Sequence, residues 1–264
     1  MPQTDQRSTT RRRVLAALCV VALAPAPAMA GLARCWIDKG ALVASASFGD
    51  IAGDFLIDLS APVSQLHNTR AELAGLEAPV VRRDLMIAGK RINGVDMAVV
   101  DLDARTRAFD TSINGVLGAD VLGRFAVDIE TSPCQIRLSR AKARRFRGGL
   151  RLPVTVVDGR PLVGATISDG VGVENGLFAI DTGRWATGVV DARLSRTPSV
   201  EPGQPPAPIR LRALELGGHL FEQAPASIEA AHDGRAAGSI GMAVWSSWRL
   251  RLDMTAGWLD LEAR

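Results

Sequence analysis

The sequence predicts an all-β protein arranged as two lobes of one duplicated unit. First, the chain repeats itself: Phe55-Leu56-Ile57-Asp58 returns as Phe178-Ala179-Ile180-Asp181, and Gly115-Val116-Leu117-Gly118 as Gly238-Ser239-Ile240-Gly241, each 123 positions later. The same offset carries Gly53 onto Gly176, Phe125 onto Trp248, Val127 onto Leu250, Ile129 onto Leu252 and Leu138 onto Leu261. A fixed offset over such a length marks a duplication. Second, short β-prone runs alternate with Gly, Pro, Asn and Asp turn signals. Third, no long segment shows a helical period, which leaves an all-β class.

Residues 1–30 are set apart from the fold. Arg11-Arg12-Arg13 precedes an apolar run and then Ala28-Met29-Ala30, a small-x-small cleavage site. This pattern predicts an export signal, by the twin-arginine or the general secretory route, and is too short and wrongly flanked for a membrane span. It places the processed chain in the periplasm or outside the cell, with no integral membrane segment left after processing. Leu18 before Cys19 argues against a lipid anchor.

The first repeat runs over 31–138. Residues 41–48 and 53–59 read as strands. Residues 85–100, with turn signals at Gly89 and Asn93-Gly94, read as a hairpin or meander. A short helix fits 119–124, and strands 125–130 and 135–138 close the repeat around Ser132-Pro133. Residues 139–149, rich in Arg and Lys and ending in Gly-Gly, read as a solvated basic linker. The second repeat, 150–264, answers with strands at 153–157, 162–167 and 176–182, a hairpin over 211–221 turning at Gly217-Gly218, a helix at 242–247, and a closing pair at 248–253 and 258–261. Residues 198–208, rich in Pro, form an irregular exposed loop.

The chain is 47% hydrophobic and 22% charged, ordinary for a globular protein and enough for one large or two small cores. Its formal charge of +3 resides entirely in residues 1–30, which hold four Arg and one Asp. The remainder is near neutral, so the basic pI is no argument for nucleic-acid binding. Beyond residue 30 only Cys35 and Cys134 remain, and in an oxidising compartment they invite one disulfide; two separate buried thiols are the alternative. His67, His219 and His232 lack metal-ligand spacing, and no nucleophile-elbow or P-loop motif occurs. No metal and no cofactor is expected. Trp245, Trp248 and Trp258 fit packing of the closing strands better than a stacking platform.

Chemistry concentrates in the repeated Asp. An Asp at the end of an apolar strand is by itself a common turn residue. Two in register, each followed 58–60 residues later by an apolar-apolar-Gly segment, are a constellation. Here the chain resembles the aspartic peptidases, on Phe178-Ala179-Ile180-Asp181-Thr182-Gly183 with Ser239-Ile240-Gly241, and on Asp58 with Val116-Leu117-Gly118. Its flavour is retropepsin-like and bacterial, with two lobes in one chain as in pepsin.

The resemblance implies a bilobal fold of two pseudo-symmetric β-barrel-like lobes with short helices, and a catalytic dyad of Asp58 and Asp181 facing across the cleft. Two close carboxylates share one proton and activate a water between them. Ser60, Thr182, Gly183, Gly118 and Gly241 are the supporting residues: a hydroxyl bracing the pair across the two-fold, glycines permitting close approach, and the apolar-apolar-Gly segment packing behind each turn. The expected function is an exported endopeptidase acting on a peptide or protein substrate, as a monomer because both lobes lie in one chain. A flap is expected between His67 and Asp110. In this architecture the N-terminal segment runs beside the closing strands, which would bring Cys35 to Cys134.

The first motif departs from the pattern. Asp58-Leu59-Ser60 has Leu59 where a bracing hydroxyl is usual and Ser60 where Gly is usual. Arg184 follows Gly183 where a small residue is usual; it either reaches the dyad as a modulator, points outward, or reads an acidic substrate. These departures carry the alternative function, a degenerate relative that binds peptides in the cleft without cleaving them.

Overall fold

The computed structural model describes residues 31–140, 145–190, 194, 207–229 and 235–264. The expected export signal, most of the 198–208 loop, part of the basic linker and His232 lie outside the described residues. The first lobe comprises β1 (Leu32–Asp38), β2 (Ala41–Phe48), β3 (Ile51–Ile57), β4 (Gln65–His67), α1 (Asn68–Leu73), β5 (Val80–Ile87), β6 (Lys90–Val100), α2 (Asp103–Thr106), β7 (Ile113–Leu117), α3 (Ala119–Leu122), β8 (Ala126–Thr131) and β9 (Cys134–Ser139). The second comprises β10 (Leu150–Val157), β11 (Arg160–Ser168), β12 (Val173–Ile180), β13 (Thr187–Val190), β14 (Ala207–Leu216), β15 (His219–Glu229), β16 (Gly238–Ile240), α4 (Met242–Trp245), β17 (Trp248–Asp253) and β18 (Trp258–Ala263).

The pairing is the same in both lobes. β3 runs parallel to β7 as β12 runs parallel to β16, with Ile57 opposite Leu117 and Ile180 opposite Ile240. β4 lies antiparallel to β7 and parallel to β6, and β13 stands likewise to β16 and β15. Each Asp-bearing strand is therefore flanked by the strand that leads into its partner glycine. The strands before the aspartates are fully buried at their ends: Phe55, Leu56, Ile57, Phe178 and Ile180 are closed to solvent. Burial on both faces turns these short apolar runs into rigid mounts.

A sheet in the order β1-β9-β8-β17-β18-β10 joins the lobes. Its centre is the antiparallel pair β8–β17, where Asp128 lies opposite Arg251, flanked by Val127–Leu252 and Ile129–Leu250. Asp128 and Arg251 are themselves related by the repeat offset, so the pseudo-two-fold axis passes between them. Arg251 binds Asp128 through two hydrogen bonds, Nε to Oδ1 at 2.5 Å and Nη2 to Oδ2 at 2.9 Å. Cys35 and Cys134 are bridged, with Cα atoms 4.9 Å apart, tying the start of the first lobe to its closing hairpin.

Four local expectations are corrected. β3 and β12 stop at Ile57 and Ile180, short of 59 and 182, because each following Asp turns back on its own chain: Ser60 N–H donates to Asp58 Oδ1 at 2.8 Å and Gly183 N–H to Asp181 Oδ1 at 3.0 Å. The two helices are single turns that end at Leu122 and Trp245, since the chain must straighten through the buried Phe125 and Trp248 into β8 and β17. Asn93-Gly94 is a bulge within β6 rather than a turn; Gly94, at φ +59°, donates its N–H to Asp84 Oδ1 at 3.0 Å. The linker is not wholly solvated: Phe146 is buried, with the guanidinium carbons of Arg251 and Arg249 at 4.4 and 5.0 Å from its ring centre.

Candidate active site

Asp58 and Asp181 leave the ends of β3 and β12 and enter the same buried region, 2% and 4% exposed. Thr182 ties the two turns together. Its Oγ1 donates to Ile57 O at 2.6 Å and accepts the Leu59 N–H at 3.1 Å, so one hydroxyl grips the other lobe on both sides of Asp58. The reciprocal grip is missing: Leu59 has no hydroxyl and its side chain is buried in the apolar core. Behind the turns, Asp58 N–H donates to Leu117 O and Asp181 N–H to Ile240 O, both at 3.0 Å. Gly118 and Gly241 stand next, where a Cβ would fall 2.6 Å from Ala61 O and 2.4 Å from the Trp185 and Ala186 carbonyls. Both positions admit only glycine without displacing backbone.

Gly183 makes room for the opposite carboxylate: a Cβ there would lie 2.7 Å from the Asp58 carboxyl. At the equivalent place in the first lobe, Ser60 turns its Oγ onto Asp58 Oδ1 at 2.7 Å. Burial and then the Asp58 charge push the Asp181 carboxyl up to about 6, against the lowering effect of Arg184 and the Gly183 N–H.

Each carboxylate also carries an arginine. Arg184 Nε donates to Asp181 Oδ2 at 2.6 Å, and Ser239 Oγ to the same oxygen at 3.1 Å. Arg184 Nη1 binds Glu229 at the end of β15, and Nη2 donates to Ser239 Oγ at 2.7 Å. Burial opposes the Arg184 charge, but Glu229 and Asp181 outweigh it and raise its pKa. On the other side Arg105, from α2, binds Asp58 Oδ2. A cavity of about 160 Å³ opens between Ser60 of the first lobe and Asp181, Arg184 and Ser239 of the second.

The side-chain roles of three of these residues escape the sequence reading. Nothing local marks Arg105, which sits in a four-residue helix remote from either motif. Glu229 is the last residue of an ordinary strand. Ser239 alone had a signal, a hydroxyl in the repeat position that holds apolar Val116. Between His67 and Asp110 the β5–β6 hairpin folds its tip back on the N-terminal segment, where Gly31 N–H donates to Ala88 O at 2.6 Å. The element from that stretch that touches the carboxylates is α2. His67 is buried with Nε2 3.2 Å from Asp103 and Nδ1 2.8 Å from Asn68 Oδ1, and His219 stacks edge-on against Trp248. Trp245 and Trp248 are buried, while Trp258 is 41% exposed.

A wider cavity, about 840 Å³, lies on the interlobe sheet between Arg124, Arg151 and Trp258. Its Asp260 is held by Arg151 at 2.6 and 2.8 Å, and Asp253 also lines it. Among the described residues no cluster of three or more His, Cys, Asp or Glu is disposed to hold a metal. Nor is any helix there long and apolar enough to cross a membrane.

No protein-family profile matches the sequence, and no curated protein matches it. Among solved structures the chain is similar to the aspartic proteinase from Irpex lacteus, with a TM-score of 0.52, 10% identity, and coverage of 88% of this chain and 97% of that one. At that identity the likeness shows the fold, and the fold of this chain is the two-lobed β architecture of a pepsin-like aspartic proteinase.

Proposed function

We propose that the protein is an exported aspartic-type endopeptidase, acting as a monomer, whose dyad is Asp58 and Asp181. The observation that carries this reading is the pair of buried carboxylates, presented by symmetry-related turns and braced by Thr182, with Asp181 pushed up to about 6 by burial and the Asp58 charge. On the acid side of that midpoint Asp181 carries a proton for the pair to share. The pair's ionised member takes a proton from a water, whose oxygen adds to the peptide carbonyl carbon. Its protonated member hydrogen-bonds the carbonyl oxygen and stabilises the charge developing there. Transfer of a proton to the amide nitrogen and rupture of the C–N bond then give a carboxyl and an amine. The pair titrates as a unit, so the acid and base roles belong to the dyad.

A second reading has its own observation. Arg105 and Arg184 each bind one carboxylate, and a guanidinium favours the ionised form. With both carboxylates ionised, the cleft would bind peptides without cleaving them. A peptide library incubated at pH 3–7 with wild type and Asp181→Asn separates the two. Hydrolysis by wild type that rises below about pH 6 and vanishes in the variant is the expected result; retained binding without hydrolysis in either protein establishes the second reading.

A further inference from the structure

Arg184 is seated more elaborately than a stray surface arginine. Its guanidinium meets Asp181 on the turn after β12, Glu229 on β15 and Ser239 on β16. Gly188 of β13 leaves the space: a Cβ there would lie 2.4 Å from Arg184 Nη2 and 2.7 Å from the Glu229 carboxylate. The Glu229 side chain is only 14% exposed. One guanidinium is therefore divided between a dyad carboxyl and a second acid that lies outside both motifs.

We propose that Glu229 is a positioning residue of this site: by holding one arm of Arg184 it sets how much positive charge Asp181 feels, and so how firmly the dyad keeps its shared proton. The inference rests on the dyad reading above. Removing the Glu229 charge has two effects of the same sign. It leaves Asp181 as the charged partner of Arg184, beside Ser239, and it removes a negative charge from beside the dyad. Both favour ionised Asp181. Removing Arg184 does the reverse. Two partners of one ion pair thus shift the dyad in opposite directions, which a purely structural role for Glu229 would not produce. The other groups facing Asp181 are Asp58 with its Arg105, Ser239, and Arg160 from β11 on the cavity wall, all kept in both variants.

The test is a carboxyl ¹³C NMR titration of Asp181 from pH 3 to 8, its resonance assigned by loss in Asp181→Asn. Glu229→Gln is expected to lower the Asp181 midpoint by about one pH unit, and Arg184→Met to raise it by a similar amount. In the Arg184→Met background, Glu229→Gln should move it less. An unchanged or raised midpoint in Glu229→Gln overturns the proposal. Should that variant fail to fold, Glu229→Asp, which draws the charge back from Arg184, is expected to give a smaller shift of the same sign; no shift there overturns the proposal equally. The pH profile of peptide hydrolysis, measured on the same proteins, keeps the two ideas apart. The expected shifts in a protein that cleaves nothing support Glu229 as the tuning residue and sink the peptidase reading. Cleavage with an unmoved Asp181 midpoint does the opposite.

Discussion

A buried carboxyl raised above its ordinary value makes stability depend on pH in a fixed direction. Asp181 binds its proton more tightly folded, at about 6, than unfolded, at 3.8. Below pH 3.8 both states are protonated and ionisation costs nothing. As pH climbs through the window to about 6 the unfolded chain ionises while the folded protein still holds its proton, and stability falls by on the order of 3 kcal/mol. Asn cannot ionise. The melting temperature of Asp181→Asn relative to wild type should therefore climb between pH 4 and pH 7 and level off above; a difference that stays flat with pH would mean that Asp181 is not held protonated by its surroundings. Leu59 and Thr182 show the same economy at a single repeat position: one side chain grips the opposite lobe by two hydrogen bonds, and its counterpart packs in the apolar core.

At the scale of elements, the turn-plus-glycine units hold the site. Gly241 precedes α4 and is overlaid by the carbonyls of Trp185 and Ala186. Gly241→Ala should force that backbone apart and cost about 3 kcal/mol, read as a lowered urea midpoint with unchanged slope. These units were legible because their cause is local and written twice: an apolar run, an Asp turn, and a glycine at a repeated distance. Asn93-Gly94 misled for an equally local reason, since the dipeptide that makes a tight turn also makes a bulge. Arg105 and Glu229 were illegible because only the tertiary fold brings α2 and the end of β15 to the carboxylates. No spacing in the chain records those meetings. Arg184, adjacent to its motif, could be suspected but not aimed.

At the scale of the molecule, the Cys35–Cys134 bridge, 99 positions apart in sequence, closes almost the whole first lobe into a loop. A loop of that size contributes roughly 4–5 kcal/mol in the chain-entropy account. Replacing both cysteines by Ser should lower the unfolding free energy by up to that amount, measured by urea denaturation. The second lobe holds no cysteine, so the loss should appear first as exchange of first-lobe amides. The pseudo-two-fold axis has a further consequence. Residues that meet on a true symmetry axis meet themselves. Here the axis carries Asp128 against Arg251. Two copies of the first lobe would set Asp128 against Asp128, and two copies of the second Arg251 against Arg251. Like charges directly opposite repel, so divergence at this one position disfavours self-pairing along the seam and matches each half to its unlike sister.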